Sequence, residues 1–407
     1  MIQNLIANRL GGIEFGQKTE IYKFEKIKIA KRQFLTKNPH KKLLDFGVGE
    51  SDQKPNQAII DQLYKSAKNL KKHGYTDTGT PAFKQAASRF YNDLFKVKNL
   101  DPKKNILPTI GSKEALANLP KCFINQKDIV LQTTPGYPIL ATNTRYLGGE
   151  VYNLPLLEKN NFYPDFSIIP SNILQKAKIL VLNYPNNPTG KCANKEFFQT
   201  AIDFALKHNI IIISDNAYAT IVFDRSPLSI LQFPGSEKCA LELFSFSKGF
   251  SMTGWRLGFA VGNELLIKLL STIKDNTDSG SFEAIQQAGI LALEKAKIFT
   301  QEINQRFQRR MNLLVTTLNQ IGFEATLPEG TFFLFMKSPR QLGNKKFKKA
   351  EEIAKFLIEE KGIVCVPWDD HENYLRFSAT FEAQNETEEK AVMQDLKERL
   401  EGLQIRF

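Results

Sequence analysis

Residues 245–258 read Ser-Phe-Ser-Lys-Gly-Phe-Ser-Met-Thr-Gly-Trp-Arg-Leu-Gly; they begin at the end of one apolar run, 241–246, and lead into another, 259–261. Short apolar runs bounded by glycine and hydroxylated residues read as strands covered on both faces. The same signature recurs upstream at 129–132, 179–182 and 210–213, with longer helical patterns between. From Asp45 to about Ala296 the chain therefore alternates strand and helix, the pattern of a βαβ architecture with a mainly parallel sheet between helices.

The flanks differ from this middle. Residues 1–45 are polar and lysine-rich, with amphipathic helical spacing at Ile21, Phe24, Ile27 and Ile29, and read as an arm. From Glu283 one long helical pattern runs through Arg306, Arg309 and Arg310 until Gly322 interrupts it. Strand-like 331–336, helical 350–360, strand-like 363–366 and 375–378, and a charged helix after Glu386 then compose a smaller α/β unit. The polar 341–349 segment reads as a solvated loop. The expected organisation is an arm at 1–45 packing with the small domain, a large domain at 46–295 and a small domain at 296–407.

Composition narrows the function classes. Among 407 residues, 42% hydrophobic and 24% charged is the balance of a folded globular protein, not of a disordered chain. No apolar run reaches the roughly 20 residues of a membrane span, and the first residues lack the apolar core of a secretory signal. A cytoplasmic location is the expectation. The four cysteines stand singly and the four histidines form no ligand cluster, so no metal is expected. The formal charge of +12 favours anionic partners, either nucleic acid or small phosphates and carboxylates. The lysines are dispersed and not interleaved with aromatic residues, which argues against nucleic acid.

Small anions fit the motifs. In 245–258 a lysine stands one and three residues after hydroxyls and eight before an arginine, a set suited to an aldehyde cofactor carrying a phosphate: amine for a Schiff base, donors for the anion. The alternative is a surface loop with an incidental lysine. Ser-Asp-Asn-Ala-Tyr at 214–218 puts a carboxylate and a phenol at the carboxyl end of a strand, where α/β sheets build sites. Asn-Tyr-Pro-Asn-Asn-Pro-Thr-Gly at 183–190 is a rigid turn that aims Asn187, unless it is simply a turn.

The ordered set NNPTG, DNAY and SFSKGFSMTGWRLG resembles the class I/II aminotransferases, pyridoxal 5′-phosphate enzymes of fold type I. Within that group the chain is most similar to the LL-diaminopimelate aminotransferases, through IGSKEAL at 110–116, PGYP at 135–138, NYPNNPTG, and DNTDSG at 275–280. The resemblance implies a large domain with a mainly parallel sheet, a smaller C-terminal α/β domain and a homodimer. It implies that Lys248 holds the cofactor as a Schiff base and carries the proton between substrate Cα and cofactor C4′. Asp215 would pair with the pyridine nitrogen, and Asn187 and Tyr218 with the ring oxygen. Tyr137 matches a residue that stacks on the ring, although a tyrosine in a Pro-Gly turn is often structural. Gly111, Ser112 and Lys113, opening a helix, would join Ser245, Ser247 and Arg256 around the phosphate.

Tyr75, in HGYTDTGTP, resembles a tyrosine that reaches the phosphate of a neighbouring subunit; the alternative is a buried packing residue. Arg376 matches the arginine that takes the substrate α-carboxylate, and Gly49 the glycine whose backbone closes on substrate. Tyr22 could reach a distal substrate group or pack on the core. Residues 366–370, Val-Pro-Trp-Asp-Asp, depart from the longer glycine- and phenylalanine-containing loop of the family, which touches side-chain specificity. The implied reaction is ping-pong amino transfer, with LL-diaminopimelate and 2-oxoglutarate as the pair. Its rivals are an aspartate or aromatic aminotransferase and a β-lyase on the same scaffold.

Overall fold

A computed structural model describes residues 2–16 and 23–407, leaving Tyr22 outside the described residues. The chain divides into two compact units. The larger comprises Gln53–Gln308 and Pro328–Thr331, and the smaller Met1–Asp52, Arg309–Leu327 and Phe332–Phe407. The sequence placed these divisions at 45/46 and 295/296. Pro328–Thr331 joins the larger unit because Phe223 N–H donates to Glu329 O at 3.0 Å and Thr331 N–H to Ile221 O at 2.9 Å.

The larger unit is built on a seven-stranded sheet. Its strands are β1 (Ile106–Thr109), β2 (Ile129–Thr134), β3 (Glu150–Pro155), β4 (Ala177–Leu182), β5 (Ile211–Asp215), β6 (Ala240–Ser245) and β7 (Gly258–Gly262). The order across the sheet is β1-β7-β6-β5-β4-β2-β3. Strands β3, β2, β4, β5 and β6 are parallel, while β7 runs antiparallel to β6 and β1. The two-residue side-chain period sorts the faces. Leu180, Leu182 and Ile212 pack with Phe197, Phe198 and Ile202 of the helix Lys195–His208. Ile179, Val181, Ile213, Leu241 and Leu243 pack with Leu116 and Leu119 of the helix Ser112–Phe123. Asp215, two residues after Ile213, therefore emerges on the second face, at a strand's carboxyl end.

Local chemistry sets the helix starts. Thr80 accepts from Phe83 N–H at 3.3 Å ahead of Pro81 in the first turn of the helix Pro81–Phe95, and Asn194 accepts from Phe197 N–H at 2.8 Å. The helical pattern from Glu283 is two helices, not one: Glu283–Glu294 and Ala296–Ile321, parted at Lys295, where ψ is 15°. Hydrophobic periodicity alone does not register a single residue leaving helical geometry.

In the smaller unit Val366–Trp368, Tyr374–Ser378 and Phe333–Lys337 form an antiparallel sheet with Tyr374–Ser378 at its centre. The strand read at 363–366 is split: Ile363–Val364 pairs in parallel with Leu44–Asp45, and Val366–Trp368 pairs elsewhere. Nor is 341–349 only a loop. Gln341–Leu342 and Lys345–Lys346 form a hairpin through Gly343, at φ 58°, and Ile405–Arg406 adds a third strand. The arm's helix, Lys23–Lys37, packs Ile27, Ala30 and Phe34 with Ile358 and Val364. Among the described residues no helix is long and apolar enough to cross a membrane.

Candidate active site

Three loops at the carboxyl ends of β4, β5 and β6 converge. The Asn183 amide, just past β4, donates to Asp215 O at 2.7 Å, and its oxygen accepts from Asn187 N–H at 2.9 Å. One side chain thus ties the NNPTG turn to the end of β5. Inside that turn Asn186 accepts from Thr189 N–H at 3.0 Å and from the Thr189 hydroxyl at 2.8 Å. Asn216 N–H donates to Leu243 O at 3.0 Å, so the Asp215 loop is also anchored to β6.

Asp215 is 5% exposed, and its Oδ1 has no hydrogen-bond partner. Burial pushes its carboxyl up from 3.8 to about 7, opposed by the Ala217 N–H and by the nearby charge of Lys248. Lys248, half-buried, lies in the short helical turn Phe246–Gly249 directly after β6. Tyr218, three residues after Asp215, is buried. Tyr137, following β2, is half-buried against the cluster of Leu116 and Val130.

A cup lined by hydrogen-bond donors forms beside them. Gly111 precedes the helix Ser112–Phe123, so the first N–H groups of that helix, at Ser112 and Lys113, lack intrahelical acceptors. The Arg256 guanidinium lies against this turn: Nη2 donates to Ile110 O at 3.3 Å, and Nη1 to Thr253 O at 3.0 Å and to Ser247 Oγ at 3.5 Å. Ser245 Oγ accepts from Ser247 N–H at 3.2 Å. A Cβ on Gly111 would come within 2.5 Å of Arg256 Nη2, and the φ there is +70°. Only glycine lets the backbone and the guanidinium approach so closely. Thr109, whose buried hydroxyl has no partner, borders the cup; the sequence reading missed it.

The smaller unit holds its own charged residue. Arg376 is 2% exposed, its Nη2 donates to Gly47 O at 3.0 Å, and its guanidinium lies 4.1 Å from the Phe333 ring centroid. Gly49 faces the same ring, with 3.6 Å between its ideal Cβ and Phe333 Cζ. Phe333 stands in no motif, and Asn183, although it opens the 183–190 motif, carries no expected role; its one signal is a polar residue immediately after an apolar run. Residues 366–370 are pinned differently from a free loop, because Asp369 accepts from Ala350 N–H at 2.7 Å and Glu351 N–H at 3.0 Å at the start of the helix Ala350–Lys361. Tyr75 is 88% exposed and so is not brought to the cup of its own chain.

The family model "aminotransferase class I and II" matches residues 41–390. An LL-diaminopimelate aminotransferase of Methanocaldococcus jannaschii is 47% identical, covering 100% of this chain and 99% of that protein. One from Methanococcus maripaludis is 44% identical over the same shares. A substrate-bound BacF structure from Bacillus subtilis, 30% identical, superposes with a TM-score of 0.87 over 96% of this chain and 97% of that one.

Proposed function

The chain belongs to the class I and II aminotransferases, and from that premise we propose that it transfers the amino group of LL-diaminopimelate to 2-oxoglutarate with pyridoxal 5′-phosphate as cofactor. Curated relatives 38–47% identical carry the LL-diaminopimelate aminotransferase name. The residues fit the cofactor: the buried, unpartnered Oδ1 of Asp215 suits a protonated ring nitrogen, and the Gly111, Ser112 and Arg256 cup suits a phosphate dianion. When bound, the cofactor supplies an electron sink for the pair left on substrate Cα when its proton departs.

The chain does the rest. Lys248 would hold the cofactor through its side-chain amine and, once that amine is free, would take up and return the proton at substrate Cα. Asp215 stays ionised against the cation it faces. Asn187 and Tyr218 donate to the ring oxygen, Tyr137 covers a ring face, and Ser245, Ser247 and Lys113 add donors or charge around the phosphate. Arg376 takes the α-carboxylate through two parallel N–H donors, with Gly49 backbone beside it. The same residues would serve the second half-reaction with the oxo acid, which makes the transfer ping-pong. We also propose a homodimer in which Tyr75 of one copy serves the phosphate of the other; its 88% exposure suits that role better than packing in its own chain.

The buried Asp215 facing Lys248 carries this reading. Purified protein with pyridoxal 5′-phosphate should absorb visible light, lose that absorbance on Lys248→Ala, and form glutamate from LL-diaminopimelate and 2-oxoglutarate. A protein that never takes up the cofactor contradicts the cofactor assignment. Glutamate formed only with aspartate or an aromatic donor, or release of pyruvate and ammonia, contradicts the substrate assignment.

A further inference from the structure

Lys274, in the helix Glu264–Asp275, is 2% exposed, yet it is neither at the cup nor in any role assigned above. Its ammonium is shared by two carboxylates from different parts of the larger unit. Asp278 takes it at 2.7 Å through both oxygens, and Glu114 Oε2 at 3.4 Å. Glu114 lies in the first turn of the helix Ser112–Phe123 and accepts from Ile110 N–H at 3.1 Å and from the Asn118 amide at 2.7 Å. The Ile110 carbonyl is the one that Arg256 Nη2 holds. Ile110, the residue before Gly111, is thus gripped at its N–H by Glu114 and at its C=O by Arg256. Lys274 stands behind the first of these grips.

The charges show why the ammonium is needed there. A carboxylate in the first turn of a helix occupies the positive end of the helix dipole, which here is also wanted by a phosphate dianion. Glu114 therefore competes electrostatically with the ligand it helps to frame, and Asp278 adds a second negative charge. In a largely buried setting such charges are less screened than at the surface and act over several ångströms. We propose that Lys274 is a positioning residue for phosphate binding: it offsets one of the two carboxylate charges, so that Glu114 can orient Ile110 with less repulsion of the cofactor phosphate. The proposal rests on the pyridoxal phosphate reading above. The same lysine also steadies the DNTDSG segment. Asp278 Oδ1 accepts from Gly280 N–H at 2.7 Å, and Ser279 O accepts from Asp77 N–H at 3.0 Å, two residues after Tyr75.

The test compares two ligands that differ only in the phosphate. Full-length cofactor-free protein is titrated with pyridoxal 5′-phosphate and with pyridoxal, and the ratio of the two affinities is the readout. Lys274→Met should lower the ratio by about tenfold, the size of an ordinary coupling between neighbouring charges. Adding Glu114→Gln to Lys274→Met should restore it, Lys274→Arg should keep it, and Glu114→Gln alone should raise it. The last variant tests the idea even where Lys274→Met fails to fold. A ratio unchanged in Lys274→Met, or both affinities falling together, overturns the proposal, since a merely structural lysine would affect both ligands alike. Wild-type protein that binds neither ligand overturns the cofactor reading instead.

Discussion

The Asn183 side-chain amide donates to the main-chain carbonyl of Asp215 at 2.7 Å, joining the loop after β4 to the end of β5. With its oxygen on Asn187 N–H, the same side chain sets the relative position of the two residues proposed to hold the ring nitrogen and the ring oxygen of the cofactor. Asn183 is 4% exposed, so Asn183→Ala strands the buried Asp215 carbonyl and the half-buried Asn187 N–H. It should cost about 2 kcal/mol of stability and weaken cofactor binding. Urea unfolding and cofactor titration measure the two effects; an unchanged midpoint would count against the tie.

Asp215 makes the cofactor-free protein sensitive to pH. Burial raises its carboxyl from 3.8 to about 7 in the fold, so between these values the folded chain keeps a proton that the unfolded chain has released. Stability from this group is complete below about pH 4 and is lost as pH rises through about 7, by up to about 4 kcal/mol. Asp215→Asn, neutral at every pH, should remove the fall. Cofactor should remove it as well, because a protonated ring nitrogen stabilises the carboxylate. Parallel pH profiles of unfolding for wild type and variant would contradict this.

Gly111→Ala should weaken pyridoxal phosphate binding by about tenfold or more, since the new methyl forces Arg256 Nη2 away from a 2.5 Å approach and strains a φ of +70°. Fluorescence titration of the cofactor-free protein reads the change. Native-like affinity would mean that the guanidinium does not hold the phosphate from this position.

Arg376→Lys should reduce kcat/KM for both amino and oxo acids by about a hundredfold, chiefly through KM, while leaving cofactor absorbance as it is. A lysine keeps the charge and loses the paired donors. Steady-state kinetics decide it, and a change confined to one of the two substrates would argue against a shared carboxylate site.

Arg310 is wholly buried, and its donors go to Glu389 Oε1 at 2.7 Å, to both Asp52 oxygens at 2.9 and 3.0 Å, and to the carbonyls of Ala379, Phe381 and Ala383. Arg310→Ala removes the cation between two buried carboxylates, leaving Glu389 to Arg309 alone and Asp52 without its ion pair to residue 310, and should destabilise the smaller unit by about 3 kcal/mol. Denaturant unfolding measures it; a loss below about 1 kcal/mol would show that the carboxylates find water instead.

The reach of the sequence differs from residue to residue. Strands β2, β4, β5, β6 and β7 were legible because a buried strand declares itself locally, in a few consecutive apolar side chains. Lys248, Asp215, Asn187 and Arg256 were legible for a related reason: each stands in a short motif beside such a strand, and the end of a parallel strand is where a site is built. Composition and motif together also pointed to small anions as the owners of part of the +12 charge.

Other features depended on partners distant in sequence. The hairpin at Gln341–Leu342 and Lys345–Lys346 is completed by Ile405–Arg406, and Arg310 by Asp52 and Glu389. Lys274 reaches Glu114 across 160 residues, and Asn183 reaches Asp215 across 32. Local periodicity records which side chains are buried and in what order, since that depends on the chain's own geometry. It carries no record of which buried polar groups meet, because each pair forms only when separate elements pack and the cost of an unpaired buried group selects the partner. The succession of buried strands along the chain and the chemistry of each loop were therefore properties of the sequence, whereas the order of strands across the sheet, the tie beneath Asp215, the approach of Arg256 to Gly111 and the sharing of Lys274 were decided by the tertiary structure.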